Sequence, residues 1–220
     1  MATLILSIVP LALGAAVSPV LFGIEILALT SGSRVRTRAW FVVLGAACIL
    51  AAFCVIGLLA GHALPHHQPH RKIDATVDLV AAGLLGLLAV RTLAASKRSS
   101  PKPTILDRLQ GASTATFLGA GAIGMITNLS TLVLFIPAFR MITKSPTGTS
   151  AEIVAFAVLF TITLLPVIGP ALVVTILGDR ADGVLARMNH FMTGHSAQIT
   201  AAIEVVFAVL LLARGISSLL

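Results

Sequence analysis

Polar and apolar positions along the chain fall into long blocks, with no short-period alternation. Apolar runs cover about residues 3–30, 39–60, 73–94, 112–142, 152–177 and 197–219, and polar or breaker-rich connections separate them. Each run holds roughly 20 residues or more, enough for helix rise alone to cross ~30 Å of hydrocarbon. The pattern predicts an all-α integral membrane protein with about six transmembrane helices and no room for a soluble domain.

Two of the runs are too long for one perpendicular helix, and both carry an interruption near the middle. In the first, Pro19 has no amide proton and its ring collides with the carbonyl four residues back. The backbone around Ala15 and Ala16 therefore loses a hydrogen bond where lipid offers no replacement. In the fourth run, polar Thr127-Asn128 follows Gly119, Gly121 and Gly124. Gly14 to Ser18 and Gly124 to Asn128 share one spacing and lie half a chain apart. Two three-helix units joined by a single linker must run in opposite directions through the membrane, as in many secondary transporters. The expected fold is two inverted three-helix repeats with broken first and fourth helices, residues 1–95 and 112–220, joined by a basic cytoplasmic linker over 96–111. Pro166 and Gly169-Pro170 predict a further break in the fifth run. Ser31 to Arg38 reads as a basic connection and Gly178 to His195 as a polar linker.

Composition sharpens the membrane assignment: 57% hydrophobic residues, 10% charged residues and a mean hydropathy of +1.04 exclude an ordinary soluble domain. The net charge of +7 would suggest nucleic acid in a soluble protein, but here the basic residues cluster in short loops. Arg34, Arg36, Arg38, Arg91, Lys97, Arg98, Lys102, Arg108, Arg180 and Arg187 flank one side. Arg71, Lys72, Arg140, Lys144 and Arg214 flank the other. The excess on the first side places it in the cytoplasm and both termini outside the cytoplasmic membrane. Tyr is absent, leaving Trp40 and Phe41 as the obvious interfacial anchor. Residues 1–16 end in small residues as a signal peptide does. They lack a basic n-region and the apolar run continues past them, so the segment is expected to be retained.

Few residues carry candidate chemistry. Glu25 lies two turns beyond the first break, and a carboxylate inside a span is costly enough to suggest function; a position facing inner headgroups is the plainer alternative. Asp74 suits a helix N-terminus, Asp78 sits deeper in the third run, and Glu204 lies inside the last. Cys48 and Cys54, six residues apart in one run, point to different helix faces and read as packing residues. His62, His66, His67 and His70 crowd a loop interrupted by Pro65 and Pro69. His66, His67 and His70 are weak metal candidates, because the loop holds no Cys or acidic ligand and a solvated loop explains it as well. No nucleophile–base pair or His-Glu-x-x-His motif occurs in a spanning run, so the chain is not expected to be an enzyme.

Gly14-Ala15-Ala16-Val17-Ser18-Pro19, Gly124-Met125-Ile126-Thr127-Asn128 and the 3+3 plan together resemble the lysine-exporter (LysE) superfamily. Within it, the chain is most similar to the GAP family of peptidoglycolipid or sulfolipid addressing proteins, over essentially its whole length. It departs where relatives often have Asn-Pro: Asn128 is followed by Leu129, so the fourth helix could bend without a full break. The resemblance implies export of an envelope lipid or glycolipid, or of a lipid-linked precursor. On that reading Ser18, Pro19, Thr127 and Asn128 meet the polar headgroup, Glu25 and Asp78 are the proton-coupling candidates, and Arg34, Arg36 and Arg38 gather anionic headgroups. No cofactor is expected. The expected partners are the lipid substrate and the bilayer, with a second copy of the chain or envelope-lipid biosynthesis and export proteins besides, and no nucleic acid. The alternatives are an exporter of an amino acid or divalent metal, and a lipid-assembly factor that moves nothing.

Overall fold

A computed structural model describes residues 2–30, 34–63, 71–96, 112–143, 145 and 148–219. The described residues form α1 (Ala2–Ala16), α2 (Pro19–Thr30), α3 (Val35–Ala63), α4 (Arg71–Ser96), α5 (Thr114–Ile126), α6 (Leu129–Thr143), α7 (Thr149–Leu177), a short 3-10 turn (Gly178–Ala181) and α8 (Asp182–Leu219). No strand occurs among them. Four helices are long and apolar enough to cross a membrane, and α1–α2 and α5–α6 bring the spans to six if each bent pair counts as one. The chain is therefore a multi-pass membrane protein. The linker at 97–111 and the loop holding His66, His67 and His70 lie outside the described residues.

Both overlong runs bend, each by 62°. In the first, Pro19 opens α2 at the helix position where its missing N–H costs nothing, and Ser18 caps it: Leu21 N donates to Ser18 Oγ (3.3 Å). The second bends as far without a proline. Thr127 Oγ1 donates to the Ile123 and Gly124 carbonyls (2.8 and 3.3 Å), and the ladder resumes only when Leu132 N reaches Asn128 O (3.3 Å).

Three sequence expectations are corrected. The fifth run is one continuous helix, α7, despite Pro166 and Pro170. A proline removes one hydrogen bond locally, and Val167, Pro170 and Ala171 are buried in the bundle, where neighbouring helices hold α7 together. The polar segment 182–196 is not a linker but the first part of α8, a 38-residue helix about 57 Å long at 1.5 Å per residue. Only 197–218 of it is apolar enough to span, so the polar part extends beyond the hydrocarbon. Arg36, Arg38 and His62 belong to the ends of α3, whose helix outlasts its apolar stretch at both ends.

Packing relies on small residues, as expected where lipid removes the hydrophobic drive between helices. A Cβ at Gly45 of α3 would collide with the Leu118 carbonyl of α5, and one at Gly121 with the Val42 carbonyl. The most extensive packing between two helices is that of α4 on α8. Most contacts between the halves come in matched pairs: α3 packs on α5 as α7 packs on α1, and α2 on α5 as α6 on α1. In the same way α2 meets α7 as α6 meets α3, and α4 meets α6 as α8 meets α2.

Candidate functional site

The two bends come together in the bundle. Pro19 cannot donate to the Ala15 carbonyl, and that carbonyl instead accepts from Thr131 Oγ1 of α6 (2.6 Å). Thr131 is fully buried, and its hydroxyl in turn accepts from Asn128 Nδ2 (2.6 Å). A backbone group orphaned by the first break is thus satisfied by a side chain from the second. With no water in the bilayer core, some partner of this kind is required.

Beside this junction lies a cavity of about 580 Å³. Ser18, Thr127 and Asn128 line it from the two bends, Ser130 from α6, Arg91 from α4 and Glu204 from α8. Val17, Val20, Leu88 and Leu129 give it an apolar aspect. Leu88, Arg91 and Thr92 share one face of α4, and Ala197, Thr200 and Glu204 one face of α8, by helical spacing.

Glu204 is 3% exposed and both its oxygens are used: Ser130 Oγ donates to Oε1 (2.6 Å) and Thr92 Oγ1 to Oε2 (3.2 Å). The Thr200 hydroxyl, on the same wall, is buried without a hydrogen-bond partner. A group of that kind costs about 1–3 kcal/mol and is ready for a polar guest or water.

The other candidates lie elsewhere. Glu25 is completely buried on α2, both carboxyl oxygens lack a partner, and it is not among the residues lining the cavity. Asp78 pairs with Arg214 Nε of α8 (3.3 Å) beside a second cavity of about 380 Å³, which Ser7, Arg140, Met141 and Ser145 also line. The two acids named for proton coupling are therefore not brought together. Arg34 and Arg36 are exposed. Arg38 is tied into the bundle, with Nη2 donating to the Ala112 carbonyl (3.1 Å) and the guanidinium 5.3 Å from the Phe117 ring centroid. Among the described residues no group of three or more His, Cys, Asp or Glu could hold a metal ion.

Sequence reasoning singled out Ser18, Thr127, Asn128 and Glu204, gave Arg91 only a part in orienting the chain, and assigned no role to Thr92, Ser130 or Thr131. Ser130 and Thr131 follow Thr127-Asn128 with only Leu129 between them, so a polar cluster of four at mid-span was there to be read. Nothing in the chain pairs Thr92 with Glu204.

The family model described as "Sap, sulfolipid-1-addressing protein" matches residues 8–217. Comparison with curated proteins and with solved structures returns no match.

Proposed function

The chain belongs to the sulfolipid-1-addressing protein family, and from that premise we propose that it is a non-enzymatic secondary transporter that exports or flips an amphipathic envelope lipid or glycolipid across the cytoplasmic membrane. The observation that carries this reading is the single cavity shared by both helix breaks, where Ser18, Thr127 and Asn128 meet a carboxylate, a guanidinium and an apolar wall. Such a space suits a polar headgroup whose alkyl part remains among apolar side chains. The matched contacts between halves support six spans arranged as an inverted repeat, and with it membership of the LysE superfamily as a GAP-type protein. The basic residues support both termini outside.

Proton coupling belongs in this reading to the buried carboxyls. Glu204 stands in the cavity wall. Glu25 follows Ser18 on the helix that Ser18 caps, and its partnerless oxygens suit a group that gains or loses a partner as the bundle changes state. Arg34 and Arg36, exposed at one end of the bundle, attract anionic headgroups.

The test is reconstitution of the purified full-length chain into vesicles and measurement of movement of labelled lipid between leaflets. Asn128→Leu and Ser130→Ala should slow movement without lowering the amount of reconstituted protein. Normal rates in both variants would refute the cavity as the substrate path. Accumulation of the lipid in intact form on the inner leaflet of a deletion strain would separate transport from assembly.

A further inference from the structure

Two cavities lie one behind the other along the seam where α1 and α6 meet α4 and α8. α4, α6 and α8 wall both. The remaining wall is Leu4 and Ser7 of α1 in one, and Val17 and Ser18, just past the end of α1, in the other. Between the cavities each helix of the seam places a buried residue with no polar side chain. On α4 it is Leu85, seven residues past Asp78 and three before Leu88; on α6 it is Leu134, four past Ser130 and three before Pro137. Those spacings keep both on the helix faces that line the cavities. On the other two helices the spacings mirror each other: Gly14 is seven residues past Ser7 and three before Val17, and Phe207 is seven before Arg214 and three past Glu204. At 1.5 Å per residue, each stands ~4.5 Å along its helix from one cavity and ~10.5 Å from the other. They also touch. A Cβ at Gly14 would strike the Phe207 ring, so the ring fills the space that the glycine leaves.

We propose that the two cavities are successive stations of one path for the transported headgroup, and that the Phe207 ring seated on Gly14 is the gate closed between them. This deepens the proposed function and rests on it. A polar headgroup leaving Ser18 and Glu204 for the cavity of Ser7, Asp78 and Arg214 meets a layer in which Leu85, Leu134 and Phe207 belong to one buried apolar cluster and offer it no partner. The layer must part for it to pass. Leu85 is completely buried and Leu134 is 1% exposed, whereas Phe207 keeps 8% of its surface open at the edge of the core. Its neighbours Val205, Val206, Val209 and Leu210 are exposed on the outside of α8, where lipid covers them. A ring that swings from Gly14 towards them passes from apolar side chains to equally apolar lipid, so opening does not cost the exposure of a ring to water. Glycine at position 14 lets the ring return to its seat.

The experiment is thiol labelling of the full-length chain carrying Cys48→Ser, Cys54→Ser and Thr200→Cys, the last on the wall of the Glu204 cavity. An impermeant reagent is added to intact cells and to inverted vesicles, and Thr3→Cys, in the other cavity, marks which of the two presents that side. From that side Thr200→Cys should be protected while Phe207 is in place. Phe207→Ala should raise its labelling about tenfold or more, which needs the closed packing to weaken by only ~1.4 kcal/mol. Gly14→Ala, whose Cβ unseats the ring, should raise labelling too, and adding Phe207→Leu to it should restore protection, because the shorter side chain makes room for the methyl. Phe117→Ala removes a fully buried ring that lines neither cavity and should leave the site protected. Full labelling with Phe207 in place overturns the gate, as does an unchanged rate in Phe207→Ala or an equal rise in Phe117→Ala. If Phe207→Ala fails to reach the membrane, Gly14→Ala alone and with Phe207→Leu decides, and no rise or no recovery overturns the gate. Movement of labelled lipid in the same variants separates the two readings. Access that opens as expected while no variant moves lipid supports the gate and refutes the lipid reading. Lipid moved at one rate by all variants, with Thr200→Cys protected throughout, refutes the gate and leaves the lipid reading standing.

Discussion

Removing the hydroxyl of Thr131 tests whether the two bends depend on each other. Thr131→Val keeps the shape of a fully buried side chain but deletes the donor to the Ala15 carbonyl and the acceptor for Asn128 Nδ2, both at 2.6 Å. A buried carbonyl left without a partner costs about 1–3 kcal/mol. Hydrogen bonds between membrane helices average nearer ~0.6 kcal/mol, with a maximum near ~1.7, because the separated helices also find partners. Here the alternative partner is known to be missing, since Pro19 has no N–H to offer Ala15, so the upper part of that range applies: about 1.5 kcal/mol. Pro19→Ala supplies that N–H, and a helix free to straighten then satisfies Ala15 by itself. The cost of Thr131→Val should accordingly fall by about 1 kcal/mol in the Pro19→Ala background, well above the ~0.3–0.5 kcal/mol scatter of independent sites. The assay is a double-mutant cycle by reversible unfolding in mixed micelles of rising dodecyl sulfate content, followed by helix content. Additivity within that scatter, or no loss in the single Thr131→Val variant, would refute the cross-half bond.

Three further outcomes are expected. Gly121→Val should destabilise the bundle by about 1–3 kcal/mol in the same unfolding assay, because its Cβ would strike the Val42 carbonyl, whereas Gly83→Ala, with open space at its Cβ, should be neutral or slightly stabilising. Glu204→Gln keeps the shape but weakens acceptance from Ser130 and Thr92, and with Glu25→Gln it should abolish proton-driven lipid movement in vesicles while passive exchange persists; proton dependence surviving in both would end the coupling assignment. Single cysteines at Ser99 and His67, in a chain lacking Cys48 and Cys54, should react with an impermeant reagent from opposite sides, and labelling of both from outside would contradict the six-span arrangement.

Hydropathy along the chain was enough to find the four helices long and apolar enough to cross a membrane and the two bent pairs beside them. It reports which residues tolerate lipid, and that is a local property of a run of side chains. The bends were legible for the same local reason: Pro19 breaks a hydrogen bond wherever it stands, and Thr127-Asn128 are polar groups in an apolar run. Local rules also misled. Pro166 and Pro170 obey the same chemistry as Pro19, yet α7 stays continuous because its neighbours hold it. The polar residues after Asp182 read as a linker because polarity marks the edge of the hydrocarbon and not the end of a helix.

What the sequence by itself determined is therefore the class of molecule, the number and bounds of its apolar runs, and the two places where a helix yields. Which groups then meet was decided by tertiary packing alone. Glu25, Asp78 and Glu204 look equivalent as acids in spans, but one is sealed without a partner, one is paired with Arg214 and one faces a cavity. Ala15 and Thr131 lie 116 residues apart, and no local pattern links them. A buried polar group must find a partner, but only the fold determines which one lies within reach.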